Sequence, residues 1–269
     1  MIRRVLILAI SLIASACAPY GHSVIAERRG LQRSEVTGDV FRHLVYQRFD
    51  PSGSARLHVY IEGDGIPWVG NLPGADPTPR NALALRLAAV DPQDIAYVGR
   101  PCYFQVQTPD KCTANYWTSD RYGEEVIRSM ASVVEQVRGP RHRELVLIGH
   151  SGGGAIAALL ESRVDGVVAV VTIAANLDIE RWAAHHDYDP LDGSLNPVDE
   201  PTDPRIPKYQ LVGRADDNVP LQTVVHYADD RQNVELLVYD GFNHACCWEK
   251  EWASFLSRLD RALATTEPF

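Results

Sequence analysis

The sequence predicts an α/β fold with a doubly wound, mostly parallel sheet. Short apolar runs of strand character alternate along the chain with segments whose apolar residues have helical spacing. Strands separated by helices are joined by right-handed crossovers, which place helices on both faces of a parallel sheet. The chain has 269 residues, of which 45% are hydrophobic, and this suits one domain with a sizeable core.

The predicted elements follow one another with few interruptions. Strand-like runs, most of them rich in β-branched residues, lie at 41–49, 56–63, 94–99, 144–149, 166–174, 208–213 and 233–240. Segments of helical spacing lie at 80–90, 120–137, 153–163, 220–229 and 246–265. Residues 175–206 form a loop-rich insertion between two strands, full of Pro and Asp. Such an insertion is typical of a lid or a pocket wall.

Residues 1–16 predict an export signal. Arg3 and Arg4 precede an uncharged apolar stretch too short to span a bilayer, and small residues lead to Cys17. The sequence LIASAC resembles the lipobox of bacterial lipoproteins, in which the cysteine is acylated and becomes the first residue. Cleavage after Ala16 as an ordinary signal is the alternative, and either reaction places the protein outside the cytoplasm.

The lipobox implies an anchor in the bacterial cell envelope, facing the periplasm or the exterior. Residues 17–39 are polar and show no period, so we expect a tether that joins the lipid on Cys17 to a domain over 40–269. Removal of the leader leaves 24 basic and 35 acidic residues, a formal charge of −11. This balance disfavours nucleic acid and anionic membrane surfaces as electrostatic partners.

Four further cysteines predict disulfides in an oxidising compartment. Cys102 and Cys112 are the easiest to join, since a nine-residue polar loop lies between them. Cys246 and Cys247 would then form a neighbour pair or stay as free thiols, and the alternative is that each bridges to the 102–112 loop. The absence of a CxxC pair disfavours zinc.

Gly149-His150-Ser151-Gly152-Gly153 matches the pattern G-x-S-x-G between a predicted strand and a predicted helix. On such a turn the serine takes strained backbone angles that raise its hydroxyl above the sheet, and the flanking glycines avoid clashes. The backbone N–H of Gly152 at the helix N-terminus would then bind an oxyanion. A nucleotide-binding loop is disfavoured because no Lys-Ser/Thr pair follows and the G-x-G-x-x-G register is absent. The context therefore predicts Ser151 as a nucleophile.

A serine nucleophile needs a base and an acid within reach. Asp216 in LVGRADDNVP and His244 in VYDGFNHACCW each follow a predicted strand, so all three groups come to the same edge of the sheet. Ser151 would attack, His244 would carry the proton, and Asp216 would orient the imidazole. Asp178, after another strand, is the alternative acid. His185 and His186 have metal-binding residue types, but a solvated loop is favoured.

The strand order, the GHSGGG turn, GRADDNVP and GFNH together resemble the α/β-hydrolase superfamily over residues 40–265. The segments YIEGDGIPW, YVGRPCYF, NLDIERWAAHH, GSLNP and HACCW further resemble a group of bacterial lipoprotein-like α/β hydrolases of mostly unassigned substrate. In the superfamily a His-Gly segment after the third strand is often followed by the N–H that completes the oxyanion hole. Glu62-Gly63-Asp64-Gly65 stands at that place. The resemblance thus implies the N–H of Asp64 as the second donor.

These residues predict a serine hydrolase that cleaves a small carboxylic ester by acyl transfer to water, with no cofactor or metal. An amide or peptide hydrolase with the same three residues is one alternative. A non-catalytic binding or scaffold lipoprotein is another, disfavoured because Ser, Asp and His are all retained. We expect aromatic pocket walls that favour an apolar or ring-bearing substrate; the candidates are Trp68, Tyr103, Phe104, Trp117, Trp182 and Tyr188.

Overall fold

The computed structural model describes residues 21–108, 110–229 and 231–265. Its strands are β1 Gln32–Thr37, β2 Arg42–Arg48, β3 Arg56–Ile61, β4 Trp68–Val69, β5 Leu72–Pro73, β6 Asp94–Val98, β7 Glu144–His150, β8 Val167–Ile173, β9 Lys208–Gly213 and β10 Val234–Tyr239. Its helices are α1 Gly21–Arg28, α2 Leu83–Val90, α3 Glu124–Val137, α4 Gly152–Leu160, α5 Ile179–His185, α6 Leu221–Asp229 and α7 Trp248–Ala264. Single 3₁₀ turns occupy Ala114–Trp117 and Pro197–Asp199.

Eight of these strands form one sheet in the order β1-β2-β6-β3-β7-β8-β9-β10. The pairs β1–β2 and β2–β6 are antiparallel, and all the others are parallel. The predicted fold class is confirmed, since helices follow most of the parallel strands as crossovers. The carboxyl ends of β7, β9 and β10 meet at one edge, and this edge carries the candidate site.

The sheet separates two apolar cores, and successive residues of its central strand contribute to opposite ones. In β7, Val146 and Ile148 pack with α2 and α7, whereas Leu145 and Leu147 pack with α3 and α4. Strands buried on both faces read as continuous apolar runs, which explains why the sequence of β7 does not alternate.

Residues 21–37 differ from the predicted tether. The helix α1 buries Ala26 and His22 against the domain, and His22 Nδ1 lies 3.0 Å from the Tyr46 hydroxyl. The strand β1 pairs antiparallel with β2 along its whole length. An edge strand exposed on one face needs few apolar residues, so its polar sequence resembles a linker. The predicted leader and Cys17 lie outside the described residues.

Two cysteine pairs are bonded in the structure. Cys102 and Cys112 join across the loop after β6, with their Cα atoms 5.4 Å apart. Cys246 and Cys247 are joined to each other, which selects one of the arrangements that the sequence left open. Among the described residues no helix combines the length and the apolar character needed to cross a membrane.

Candidate active site

Ser151 lies on the sharp turn between β7 and α4 and has φ 52° and ψ −128°. A non-glycine residue with positive φ costs on the order of 1–3 kcal/mol, so the surrounding structure must hold it there. The Ser151 N–H donates to the Ile173 carbonyl at 2.8 Å, and the Ser151 carbonyl accepts from the Gly154 N–H at 2.8 Å. These two bonds tie the turn to the neighbouring strand β8 and to the first turn of α4.

The glycines around Ser151 are required by close backbone contacts. A Cβ atom on Gly149 would lie 2.1 Å from the Gly153 carbonyl oxygen, and one on Gly153 would lie 2.3 Å from the Ile61 carbonyl oxygen. The first contact is with the start of α4 and the second is with the end of β3. A side chain at either position would push the helix away from the sheet, as the sequence pattern implied.

The structure brings Ser151, His244 and Asp216 into one chain of hydrogen bonds. Ser151 Oγ lies 3.0 Å from His244 Nε2, and His244 Nδ1 lies 2.9 Å from Asp216 Oδ2. The Asp216 carboxylate is fully buried, while a quarter of the His244 side chain is exposed. The loops after β9 and β10 thus deliver an acid and an imidazole to the serine that follows β7.

Asp216 is held by its own loop as well as by His244. Its Oδ1 accepts from the N–H groups of Asn218 at 2.9 Å and Val219 at 2.8 Å. The alternative acid, Asp178, has a different position: it accepts from the Arg181 N–H at 3.0 Å and caps the N-terminus of α5. The carboxylate on His244 is therefore that of Asp216.

His150 lies beside Ser151, and its ring centroid is 5.1 Å from that of His244. Its Nε2 lies 2.9 Å from the His244 carbonyl oxygen, so it fixes the backbone of the loop that carries His244. On its other side, Nδ1 lies 3.7 Å from Glu62 Oε1. Glu62 is buried and accepts from the Ala84 N–H at 3.2 Å and the Leu85 N–H at 3.4 Å, at the N-terminus of α2.

The side chain of Asp64 lies within a buried cluster of charges. It accepts from Arg100 Nη1, from Arg121 Nη1 at 3.0 Å and from the Tyr122 hydroxyl at 2.7 Å. Burial opposes ionisation of Asp64, but Arg100 and Arg121 outweigh it and hold the pKa of the carboxyl well below its usual range. Burial also raises the pKa of Tyr122, which therefore stays a hydrogen-bond donor. The cluster contains two cations and one anion.

The Asp64 cluster borders Ser151 on the side of α4. A Cβ atom on Gly63 would lie 3.0 Å from Ser151 Cβ, and one on Gly152 would lie 2.0 Å from Asp64 Oδ1. The Tyr103 hydroxyl donates to the Asp64 carbonyl at 3.0 Å and fixes the course of this loop. The loop 63–64 and the first residue of α4 therefore lie together beside Ser151.

A cleft of about 1100 Å³ opens above Ser151 and His244. The insertion contributes Trp182, Tyr188 and Leu191 to its wall, as expected for residues 175–206. Three of the six aromatic candidates, Trp68, Trp182 and Tyr188, line the cleft. The expectation is wrong for the other three, which are buried in the core; these are Tyr103, Phe104 and Trp117. All three belong to the same apolar core as Cys102.

The cleft is more polar than the sequence suggested. Arg80 and Arg121 line it together with Asp187 and Asp189 of the insertion, so both signs of charge face the space above the serine. Asn176 also lines it and is buried, and its Oδ1 has no hydrogen-bond partner among the described residues. These polar groups favour a substrate with polar parts next to any apolar portion.

Sequence reasoning missed Arg100, Arg121 and Asn176. Arg100 is the second residue after β6 and Asn176 the third after β8, so their places near the carboxyl ends of strands were an available signal. Arg121 lies in a loop before α3 and had no such signal. Among the described residues no group of three or more His, Cys, Asp or Glu side chains is arranged to hold a metal.

No protein-family model matches the sequence, and no curated protein matches it. Solved structures do resemble the fold. An esterase from Pyrococcus furiosus is similar with a TM-score of 0.63 and 15% identity, over 88% of this chain and 92% of that one. A bacterial membrane phospholipase A has a TM-score of 0.61 and 15% identity, over 91% and 90%. A serine hydrolase without a lid from Xanthomonas campestris has a TM-score of 0.56 and 14% identity, over 88% and 97%. The chain thus has the α/β-hydrolase fold.

Proposed function

We propose that the protein is a serine hydrolase that cleaves carboxylic esters through Ser151, His244 and Asp216. The observation that carries this proposal is the continuous chain of hydrogen bonds from Ser151 Oγ at 3.0 Å through His244 to Asp216 at 2.9 Å, at the floor of an open cleft. A structural serine would not need a strained turn aimed at an imidazole. The pattern of nucleophile, base and orienting acid is that of acyl transfer.

In the first half of the reaction, the Nδ1–H of His244 donates to Asp216, which leaves the Nε2 lone pair free to take the proton of Ser151. Ser151 Oγ then attacks the ester carbonyl carbon. The N–H groups of Gly152 and Asp64 are the proposed donors to the oxyanion, since both residues lie beside Ser151. His244 passes its proton to the leaving alcohol, and the acyl group stays on Ser151.

In the second half, a water molecule replaces the alcohol. His244 takes a proton from the water, whose oxygen attacks the acyl carbon, and the tetrahedral intermediate again directs its oxyanion to Gly152 and Asp64. Collapse of this intermediate breaks the bond to Ser151 Oγ, which recovers its proton from His244. The products are a carboxylic acid and an alcohol, and no cofactor is consumed.

Ester cleavage is preferred over amide cleavage because an alcohol leaves more easily than an amine, and because two of the similar structures are described as an esterase and a phospholipase A. The second candidate is an amide or peptide hydrolase with the same three residues. A scaffold without activity is disfavoured by the intact hydrogen-bonded chain. As to place, we propose export and a lipid anchor on Cys17, on the strength of the lipobox resemblance.

A substrate panel tests the proposal. The full chain is assayed with p-nitrophenyl esters of increasing acyl length and with aminoacyl p-nitroanilides. We expect hydrolysis of esters, with turnover lost in Ser151→Ala. Ser119→Ala is the matched control, because Ser119 lines the same cleft while its hydroxyl donates to Asp120, and its activity should stay near that of the wild type. A preference for anilides would show that the protein is an amide hydrolase and not an esterase. A folded protein that cleaves neither class of substrate would contradict the proposal that it is an enzyme.

A further inference from the structure

The hairpin formed by β4 and β5 exposes apolar side chains to an unusual degree. Trp68 is 47% exposed, Val69 65% and Leu72 72%, and these are among the most exposed large apolar residues described. The ten residues 66–75 that contain the hairpin carry no charge. An uncharged apolar hairpin can enter a lipid interface without removing a charge from water. We call residues 68–73 the apolar hairpin.

The apolar hairpin belongs to the mouth of the cleft. Trp68, Gly70 and Asn71 line the same cavity as Ser151 and His244. Tyr188, which is also strongly exposed, lines this cavity from the insertion. A surface that covers the apolar hairpin would therefore lie against the entrance through which a substrate reaches Ser151.

The first described helix begins near this entrance. A Cβ atom on Gly21 would lie 4.0 Å from the carbonyl oxygen of Arg80, and Arg80 lines the cleft. Four residue steps separate Cys17 from Gly21, which reach at most about 14 Å in a fully extended chain. Because α1 packs on the domain, only this short segment separates Cys17 from the domain, in place of the longer tether that the sequence suggested. A lipid on Cys17 would hold the membrane close to the side of the domain where the cleft opens.

We propose that the apolar hairpin docks on a lipid bilayer with zwitterionic headgroups, so that the cleft above Ser151 opens onto the membrane surface. The substrate class that follows is an ester of a lipid molecule in that bilayer, and this part rests on the proposed function and on the anchor. Zwitterionic headgroups fit better than anionic ones because the exported chain carries a formal charge of −11. The anchor and the apolar hairpin act as two linked attachments.

Fluorescence quenching tests the docking without any hydrolysis. The full chain with Ser151→Ala is mixed with phosphatidylcholine vesicles, with and without bromine on the acyl chains. Of the five tryptophans in the chain, the four other than Trp68 are at most 8% exposed. We expect bromine to quench the emission, and we expect Trp68→Phe, which keeps an apolar ring on the hairpin, to lose most of this quenching. Equal quenching in the proteins with and without Trp68→Phe, or no quenching in either, would contradict the proposal that the apolar hairpin docks on the bilayer.

Kinetics test the substrate class. The full chain is assayed on a long-chain ester in phosphatidylcholine vesicles and on a short, monomeric ester in solution. The double variant Val69→Ser with Leu72→Ser alters the apolar hairpin at residues that do not line the cleft. We expect about a tenfold loss on vesicles, because two partly exposed apolar side chains no longer enter lipid, and little change in solution.

Val90→Ser is the matched control for the kinetic test. Val90 is 48% exposed, but it ends α2 at the amino edge of the sheet, away from Ser151, and this variant should equal the wild type on both esters. Equal losses on both esters in the hairpin variant, or no loss on vesicles, would overturn the lipid substrate. If the wild type forms a dimer, the hairpin variant is monomeric and bromine causes no quenching, the apolar hairpin is instead an interface with a second copy of the chain. If the wild type hydrolyses no ester but bromine still quenches Trp68, the proposed function is contradicted and the docking of the apolar hairpin is still supported.

Discussion

Asp64→Asn is expected to destabilise the protein strongly, although the two side chains have nearly the same shape. The aspartate accepts hydrogen bonds from Arg100, Arg121 and Tyr122 with two charged oxygens. Asparagine keeps one acceptor oxygen and places an NH₂ group against one of the guanidinium groups. Two buried cations are then left without an anion.

The size of this effect follows from the burial of the cluster. Arg100 is 1% exposed and Arg121 7%, while the Asp64 side chain retains 14%. Removing one partner from a buried ion pair costs on the order of 3–5 kcal/mol, and the residual exposure of Asp64 favours the lower end, about 3 kcal/mol. For a chain of this length that free energy corresponds to roughly 6–12 °C in the midpoint of thermal unfolding.

Thermal unfolding followed by circular dichroism measures the effect. The matched control is Asp39→Asn, because Asp39 also pairs with an arginine, Arg128, but both side chains are about half exposed and the pair contributes little. We expect a large fall in the midpoint for Asp64→Asn and almost none for Asp39→Asn. Equal shifts in the two variants would refute the claim that a buried charge cluster holds this loop.

The pH dependence of the Asp64→Asn effect has a definite sign. The pKa of Asp64 is lower in the folded protein than in the unfolded chain, so its stabilisation is fully present above the ordinary carboxyl pKa and is lost as the pH falls through the folded value. The difference in free energy of unfolding between wild type and variant should therefore be constant from neutral pH to about pH 5, and should shrink below about pH 4.

Three further predictions concern the carboxylate partner of His244, a buried histidine and the serine turn. Asp216→Asn should lower kcat on the best ester by about 10³–10⁴ with the fold intact, because the neutral amide no longer holds the imidazole in the Nδ1–H tautomer or offsets its charge, and a loss below tenfold would contradict this role. Burial lowers the pKa of His43 to about 4, so only the unfolded chain binds that proton between pH 6.5 and 4 and the wild type loses up to about 3 kcal/mol there. Urea unfolding at several pH values should show that the free energy of unfolding falls less between pH 6.5 and 4 in His43→Gln than in the wild type. An equal fall in both proteins would exclude His43 as the cause of this pH dependence. Gly153→Ala should lower the free energy of unfolding by about 1–3 kcal/mol because its Cβ would lie 2.3 Å from the Ile61 carbonyl oxygen. Gly139→Ala is the control, because its Cβ would make only ordinary contact with the His142 ring at 3.4 Å; similar urea midpoints for the two variants would contradict this packing.

Much of the fold could be predicted from the sequence because the parallel strands are short, mostly apolar runs separated by segments of helical spacing. The run 144–149 is observed as β7 and the run 208–213 as β9. The places of Ser151, Asp216 and His244 followed from the same source, since they lie in the loops after the runs 144–149, 208–213 and 233–240 and the carboxyl ends of parallel strands share an edge.

The segment over 21–37 was not predicted, for a physical reason. The strand β1 has only Ser34 and Val36 partly buried, because it lies at the edge of the sheet and its other residues face water. A single-sided edge strand has little apolar signal. The hairpin at 68–73 was not predicted either, although Gly70-Asn71 between apolar residues is typical of a two-residue turn.

The surroundings of Asp64 could not be predicted from local sequence. Arg100 and Arg121 lie 36 and 57 residues away, in two different loops, and only the folded sheet brings them together. The sequence indicated a backbone role for Asp64, and the structure adds a buried carboxylate beside Gly152. The place of Arg100 after β6 indicated only which edge of the sheet it lies on, and its pairing with Asp64 follows from tertiary contacts.

Covalent labelling with a fluorophosphonate tests most directly whether Ser151 is a nucleophile. The reagent reacts with a serine that an imidazole activates, and peptide mass mapping locates the modified residue. We predict one label per chain, on Ser151, that is absent in folded Ser151→Ala and retained in Ser119→Ala. A folded wild-type protein that takes up no label, or a label that persists in Ser151→Ala, would contradict the central claim.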